Sequence, residues 1–68
     1  MQLSARNQWE GTVTAVKVGA VMAEVVVDVA GNEVVSEITV SSVERLGLAE
    51  GDRVVVVIKS TDVMIGRP

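Results

Sequence analysis

Three stretches of this chain alternate between polar and apolar residues, and a fourth does not. Gly11 to Val18 reads GTVTAVKV, with a slip in the alternation near Ala15–Val16. Threonine and valine at a period of two fit a pleated, half-buried strand, and the slip fits a bulge. Gly19–Ala20 then interrupts the run. Ala23 to Ala30 (AEVVVDVA) puts Ala23, Val25, Val27 and Val29 on one face and Glu24, Val26 and Asp28 on the other. Glu33 to Val40 (EVVSEITV) alternates again, with Val34, Ser36, Ile38 and Val40 opposed to Glu33, Val35, Glu37 and Thr39. Gly31–Asn32, between these two runs, predicts a tight hairpin turn.

The period changes at SSVERLGL. Ser41 followed by Glu44 has capping-box spacing, and Gly47 after Leu46 suits a left-handed helix end. This predicts one or two helical turns with Val43 and Leu46 facing inward. Ala49–Asp52 reads as a turn and Arg53–Ser60 as a strand. Asp62–Ile65 continues that strand or forms a fifth. Strands with a helical turn between the third and fourth predict an all-β fold, a small five-stranded OB-like Greek-key barrel. An SH3-like barrel or an open meander uses similar elements.

Val54–Ile58 is the stretch without polar alternation, the pattern of a strand buried on both faces. The chain has 68 residues and reads as one complete domain, residues 1–68, which is too little chain to cover both faces. Of its residues 49% are hydrophobic, yet Trp9 is the only aromatic one. A core of small side chains at this length scarcely offsets about 1.5 kcal/mol of entropy per ordered residue. Cysteine and histidine are both absent, which excludes disulfides and thiolate or imidazole metal sites. Self-association remains as the expected support.

Charge narrows the function classes. The net charge is −3, with the carboxylates scattered, so no basic face suits nucleic acid or an anionic membrane. No apolar run approaches the ~18 residues of a membrane span, and the amino terminus lacks a secretion-signal layout, so a cytoplasmic protein is expected. No histidine, cysteine or tyrosine is present for catalysis, and Glu24 and Asp28 read as solvated carboxylates of a sheet face. Glycine-rich phosphate loops and calcium loops are missing. No enzyme is expected, and no catalytic residue, metal-cation ligand or organic cofactor is assigned. Trp9 reads as a filler of a core or interface gap rather than a stacking platform. Arg45 and Arg53 read as solvated charges, and Arg67 as part of a frayed tail.

Two short clusters stand apart. One is SARNQ, residues 4–8; the other is KST, residues 59–61. Each sets a long cation beside small hydroxyl residues at a strand end, where backbone N–H groups come free. Together they have the makings of a donor-lined pocket for a small oxyanion. Taken singly, the same residues are also ordinary solvated charges and turn formers.

The order of motifs separates these readings. SARNQ, the TVTxVxxG strand, AEVVV, the glycine-turn hairpin, SVxxLGLxxGD and VIKSTDVMI together resemble the molybdate-binding Mop domain of the TOBE superfamily. The resemblance runs from Ser4 to Ile65, and a single copy of this length is similar to the molbindins. It implies an OB-like barrel assembled as a homohexamer, a trimer of dimers, with molybdate or tungstate held at subunit interfaces for storage or buffering. Ser4, Ala5, Arg6 and Asn7 match the family's amino-terminal anion motif, and Lys59, Ser60 and Thr61 its carboxy-terminal one. Gly19, Ala20, Val21 and Met22 match the loop that offers backbone amides, here from a neighbouring chain. Related sequences often carry a polar residue at the position of Met22, so its expected contribution is its backbone. The resemblance thus implies a site that joins Arg6 of one copy to Lys59 of another. The alternative is a non-enzymatic OB-type module that binds protein or single-stranded nucleic acid.

A pocket made only of donors suits molybdate, a fully deprotonated tetrahedral dianion at neutral pH. Where the hydroxyls and amides turn their hydrogens to the anion, hydrogen phosphate brings an O–H that finds no acceptor, a mismatch of about 1–3 kcal/mol. Sulfate has no proton to reveal it and is rejected only by the size of a rigid cavity.

Overall fold

Residues 1–68 are described by a computed structural model, in which the alternating stretches become four strands. These are β1 (Asn7–Val18), β2 (Met22–Val29), β3 (Asn32–Thr39) and β4 (Arg53–Ile58). A helix, α1 (Val40–Leu46), follows β3, and a single 3₁₀ turn (Ser60–Asp62) follows β4. All pairings are antiparallel, and the strand order is β3-β2-β1-β4. A fourth strand returning to lie beside the first is the Greek-key arrangement.

β1 starts at Asn7, four residues before the alternating run, and its two halves serve different partners. Asn7–Thr12 pairs with β4, from Asn7↔Ile58 to Thr12↔Arg53. Thr12–Val18 pairs with β2, from Thr12↔Asp28 to Val18↔Ala23. The polar start NQWE carries no strand signal of its own; a long-range partner makes it a strand. The bulge falls between Val13 and Ala15, so Thr14 is the unmatched residue, and its hydroxyl donates to the Val26 carbonyl at 3.2 Å. Just before it, Gly11 lets β1 pass under β2, where a Cβ would lie 2.7 Å from the Asp28 carbonyl oxygen.

The β2–β3 turn uses Ala30 and Gly31, one residue earlier than predicted, with φ of 50° and 87°. Positive φ at both central residues is the primed turn that matches strand twist. The capping box is also displaced. Thr39 is the N-cap of α1, accepting from the Ser42 amide at 3.0 Å, while Ser41 lies inside the helix. The helix end is as predicted: Gly47 is left-handed at φ 63°, and the Gly47 and Leu48 amides return to Glu44 and Val43 carbonyls.

Val13, Ala23, Val25, Val27 and Val43 form the core, with Val16, Val29, Ile38, Val40, Leu48, Val54 and Val56 packed around it. Leu46, expected inward, is instead exposed at the mouth of a cleft. That cleft, about 270 Å³, separates the inner faces of β2 and β3 from β4 and is lined almost wholly by apolar side chains. The predicted fifth strand does not form, since no pairing involves Asp62–Ile65. The five-stranded barrel is therefore an open four-stranded sheet with free edges at β3 and β4. None of residues 59–68 lines the cleft. Val54–Ile58 is covered on one face only: Val55 and Val57 are 42% and 40% exposed. Only 7 of 68 residues are buried, so this chain leaves much apolar surface for something else to cover.

Candidate functional site

The β1–β4 ladder decides where the two termini meet. It begins at Asn7↔Ile58, which places Ser4–Arg6 directly beside Lys59–Thr61 as the strands run out. Ser4, Ala5, Lys59, Ser60 and Thr61 line one cavity of about 180 Å³. Ser4, Ala5, Arg6, Asn7 and Ser60 line a second of about 440 Å³ that shares three residues with it. The clusters were expected to meet between neighbouring copies. They meet within one chain, because six paired residues on each strand fix both ends to the same sheet edge.

The chemistry of this pocket is one-sided. No carboxylate lines either cavity. The only ion pair in the structure is Lys17 with Glu24, at 3.6 Å on the far half of β1, so neither Arg6 nor Lys59 is neutralised by a partner. Ser4, Ser60 and Thr61 add hydroxyls, and Asn7 adds a side-chain amide. The turn and loop hydrogen bonds use none of the amides of Ser4, Ala5, Arg6, Ser60 or Thr61 as donors.

Three of the carbonyls around the pocket, those of Ala5, Lys59 and Ser60, are in contrast occupied. The 3₁₀ turn after Lys59 brings the Asp62 amide to the Lys59 carbonyl at 2.9 Å and the Val63 amide to the Ser60 carbonyl at 3.4 Å. On the other side, the Gln8 side-chain amide donates to the Ala5 carbonyl. Sequence reading passed over Gln8, whose only signal is an amide side chain three residues after Ala5.

Gly19, Ala20, Val21 and Met22 lie elsewhere. They close the β1–β2 hairpin at the opposite end of the 12-residue β1 from the pocket. β1 runs most of the way along a molecule 34 Å in its longest dimension, and neither cavity at its start is lined by any of these four residues, so they do not share a pocket with Ser4 and Lys59 of the same chain. The loop is tightly made. The Gly19 amide donates to the Met22 carbonyl at 2.9 Å, and the Val40 amide to the Val21 carbonyl at 2.8 Å. Gly19 is needed because a Cβ there would sit 2.8 Å from the Met22 carbonyl oxygen. The Ala20 and Val21 amides point to no acceptor among the turns and loops, and Val18, Val21 and Met22 are exposed around them.

Comparison with known proteins bears on the same residues. The TOBE domain model matches residues 3–65, a span that takes in both terminal clusters, Ser4–Asn7 and Lys59–Thr61. The chain belongs to the TOBE-domain family. Molybdenum-pterin-binding protein 3 of Clostridium pasteurianum is 56% identical over 66 residues, covering 96% of this TOBE chain and 97% of the relative. A solved molybdate-binding protein from Sporomusa ovata superposes with a TM-score of 0.94 at 40% identity, covering 98% of this chain and all of its own. ModG, a cytoplasmic molybdate-binding protein solved with molybdate bound, matches with a TM-score of 0.85 and 44% identity. That match covers 88% of this chain and 43% of ModG. The Mop resemblance seen in the sequence therefore holds along the whole chain, and the TOBE fold here is all-β with one short helix.

Proposed function

We propose that this TOBE chain binds molybdate, and the nearly isosteric tungstate, in the pocket formed by Ser4, Ala5, Arg6, Asn7, Lys59, Ser60 and Thr61. The observation that carries the reading is the pocket's composition: two unpaired cations, three hydroxyls and unengaged amides, with no carboxylate among them. Similarity to molybdate-binding proteins over nearly the full chain supports the same ligand. The role is non-catalytic: storage or buffering of molybdenum as its oxyanion in the cytoplasm, the compartment given for ModG. Homohexameric assembly completes the site, with Gly19–Met22 of a neighbouring chain brought over the pocket. The free β3 and β4 edges, the apolar cleft and the exposed Val55 and Val57 are the surfaces such an assembly would cover. Trp9 is half-exposed and lines a cavity with Val29, Ala30, Asn32 and Val34, so single-stranded nucleic acid would meet one ring with no cation beside it.

Isothermal titration with molybdate, tungstate and sulfate at one ionic strength tests this. Molybdate and tungstate should bind alike, and sulfate at least about tenfold more weakly, one well-placed hydrogen bond's worth. Equal affinity for all three removes size selection, and no binding of molybdate overturns the proposal. Because ligand stabilises only the folded, assembled form, molybdate at a hundredfold excess over Kd should add about 2.7 kcal/mol of stability.

A further inference from the structure

A trans peptide is planar, so its N–H points opposite to its C=O. Whatever holds the carbonyl of one residue therefore also aims the amide of the next. Every peptide bond of this chain is trans. Three peptides at the pocket are held in this way. The Lys59 carbonyl accepts from the Asp62 amide, the Ser60 carbonyl from the Val63 amide, and the Ala5 carbonyl from the Gln8 side chain. The amides on the far side of these peptides belong to Ser60, Thr61 and Arg6, and none of them donates to a turn or loop acceptor.

The two halves of the site are held differently. Ser60 and Thr61 owe their direction to backbone bonds of the 3₁₀ turn. The Ala5–Arg6 peptide precedes β1, whose pairing begins at Asn7, so the ladder does not reach it. Its carbonyl is held by the Gln8 side chain alone. Gln8 is half-buried on β1 across from Val57 and lines neither cavity, whereas Ala5 lines both. A carbonyl drawn toward Gln8 is drawn out of the pocket, which turns the Arg6 amide into it. We propose that Gln8 is a positioning residue, which anchors the Ala5 carbonyl and so presets the Arg6 backbone amide as a donor to the bound oxyanion. This rests on the oxyanion reading of the site and deepens it. Without Gln8 the same donors are present, but the ligand itself must order the peptide, and affinity falls by that cost.

Titration and heteronuclear NMR of the intact protein test this, with melting to verify folding. Gln8→Met keeps side-chain length without a donor and should weaken molybdate binding about tenfold. Without ligand, the Arg6 amide of that variant should lose order, read from its heteronuclear NOE, while the Ser60 and Thr61 amides keep theirs. Saturating molybdate should move the Arg6, Ser60 and Thr61 amide protons of the wild type downfield. Wild-type affinity in Gln8→Met overturns the proposal, as does an Arg6 amide that stays ordered in it. Equal loss of order at Arg6, Ser60 and Thr61 overturns it too, being the mark of a general structural effect. So does a wild-type Arg6 amide proton that stays in place while those of Ser60 and Thr61 move. A wild type that binds no molybdate overturns the oxyanion reading instead, and the wild-type titration tells that failure from the others.

Discussion

Replacing Gly11 with alanine probes the bend that brings β1 from β4 to β2, and with it the geometry of the pocket. Gly11 is buried, and a methyl group there would lie 2.6 Å from Val27 Cγ1, 2.7 Å from the Asp28 carbonyl oxygen and 2.9 Å from Val29 Cγ2. The valine methyls can yield by rotation. The Asp28 oxygen cannot, because its residue is paired with Thr12 in the β1–β2 ladder. The strands must part. Overpacking of this kind costs about 1–3 kcal/mol, against a gain of about 0.4–1 kcal/mol from the stiffer unfolded chain. The central values, about 2 kcal/mol lost against about 0.7 gained, leave a net loss of roughly 1.3 kcal/mol. In a domain of this size each kcal/mol moves Tm by about 4–8 °C, so melting should fall by roughly 5–10 °C. Circular dichroism at one fixed protein concentration measures it, since assembly makes Tm depend on concentration. Gly66→Ala is the control, because nothing lies within 4 Å of a Cβ at that position. If the two variants melt within about 2 °C of each other, the close crossing of β1 and β2 is not the constraint described here.

Other expectations can be checked with the same two assays. Lys59→Ala and Arg6→Ala should each weaken molybdate binding by about 1.5–3 kcal/mol in titration, while melting without ligand stays within about 0.5 kcal/mol of wild type; undiminished affinity would remove that residue from the site. Thr39→Ala should lower stability by about 0.5–2 kcal/mol and Ser41→Ala by no more than about 0.5, and the opposite order would return the helix cap to Ser41. Ala30→Asn should raise Tm, because asparagine takes up positive φ more readily than alanine at the first position of this turn, by about 0.5–1 kcal/mol. A lower Tm would mean the turn relies on the alanine itself.

Much of the fold could be read before any coordinates. The alternations in β2 and β3, the glycine end of α1 and the irregularity in β1 are local patterns, each set by residues within a few positions of one another. The misreadings share a cause. Ser41–Glu44 has proper capping spacing, but the helix already begins at Val40, whose free amide is taken by the Val21 carbonyl, and the Thr39 hydroxyl accepts from the Ser42 amide, so the cap is Thr39. Asp62–Ile65 is apolar enough for a strand, yet after the 3₁₀ turn that follows β4 it pairs with neither free edge of the sheet. Leu46 keeps helical spacing with Val43 but overhangs a cleft that the chain does not close.

The chemistry was legible from the residues alone: which of them bring cations, hydroxyls and amides, and that no histidine, cysteine or aromatic cluster competes with them. This is so because the charge and hydrogen-bonding capacity of a side chain belong to the residue wherever it lies. It took the folded chain to show that Ser4 and Lys59 share a pocket within one chain, that Gly19–Met22 lies at the far end of β1, and that the Gln8 amide donates to the Ala5 carbonyl. Those facts follow from the register of a ladder joining Asn7 to Ile58, and such a register is settled by the packing of the whole valine core, not by any short stretch of residues.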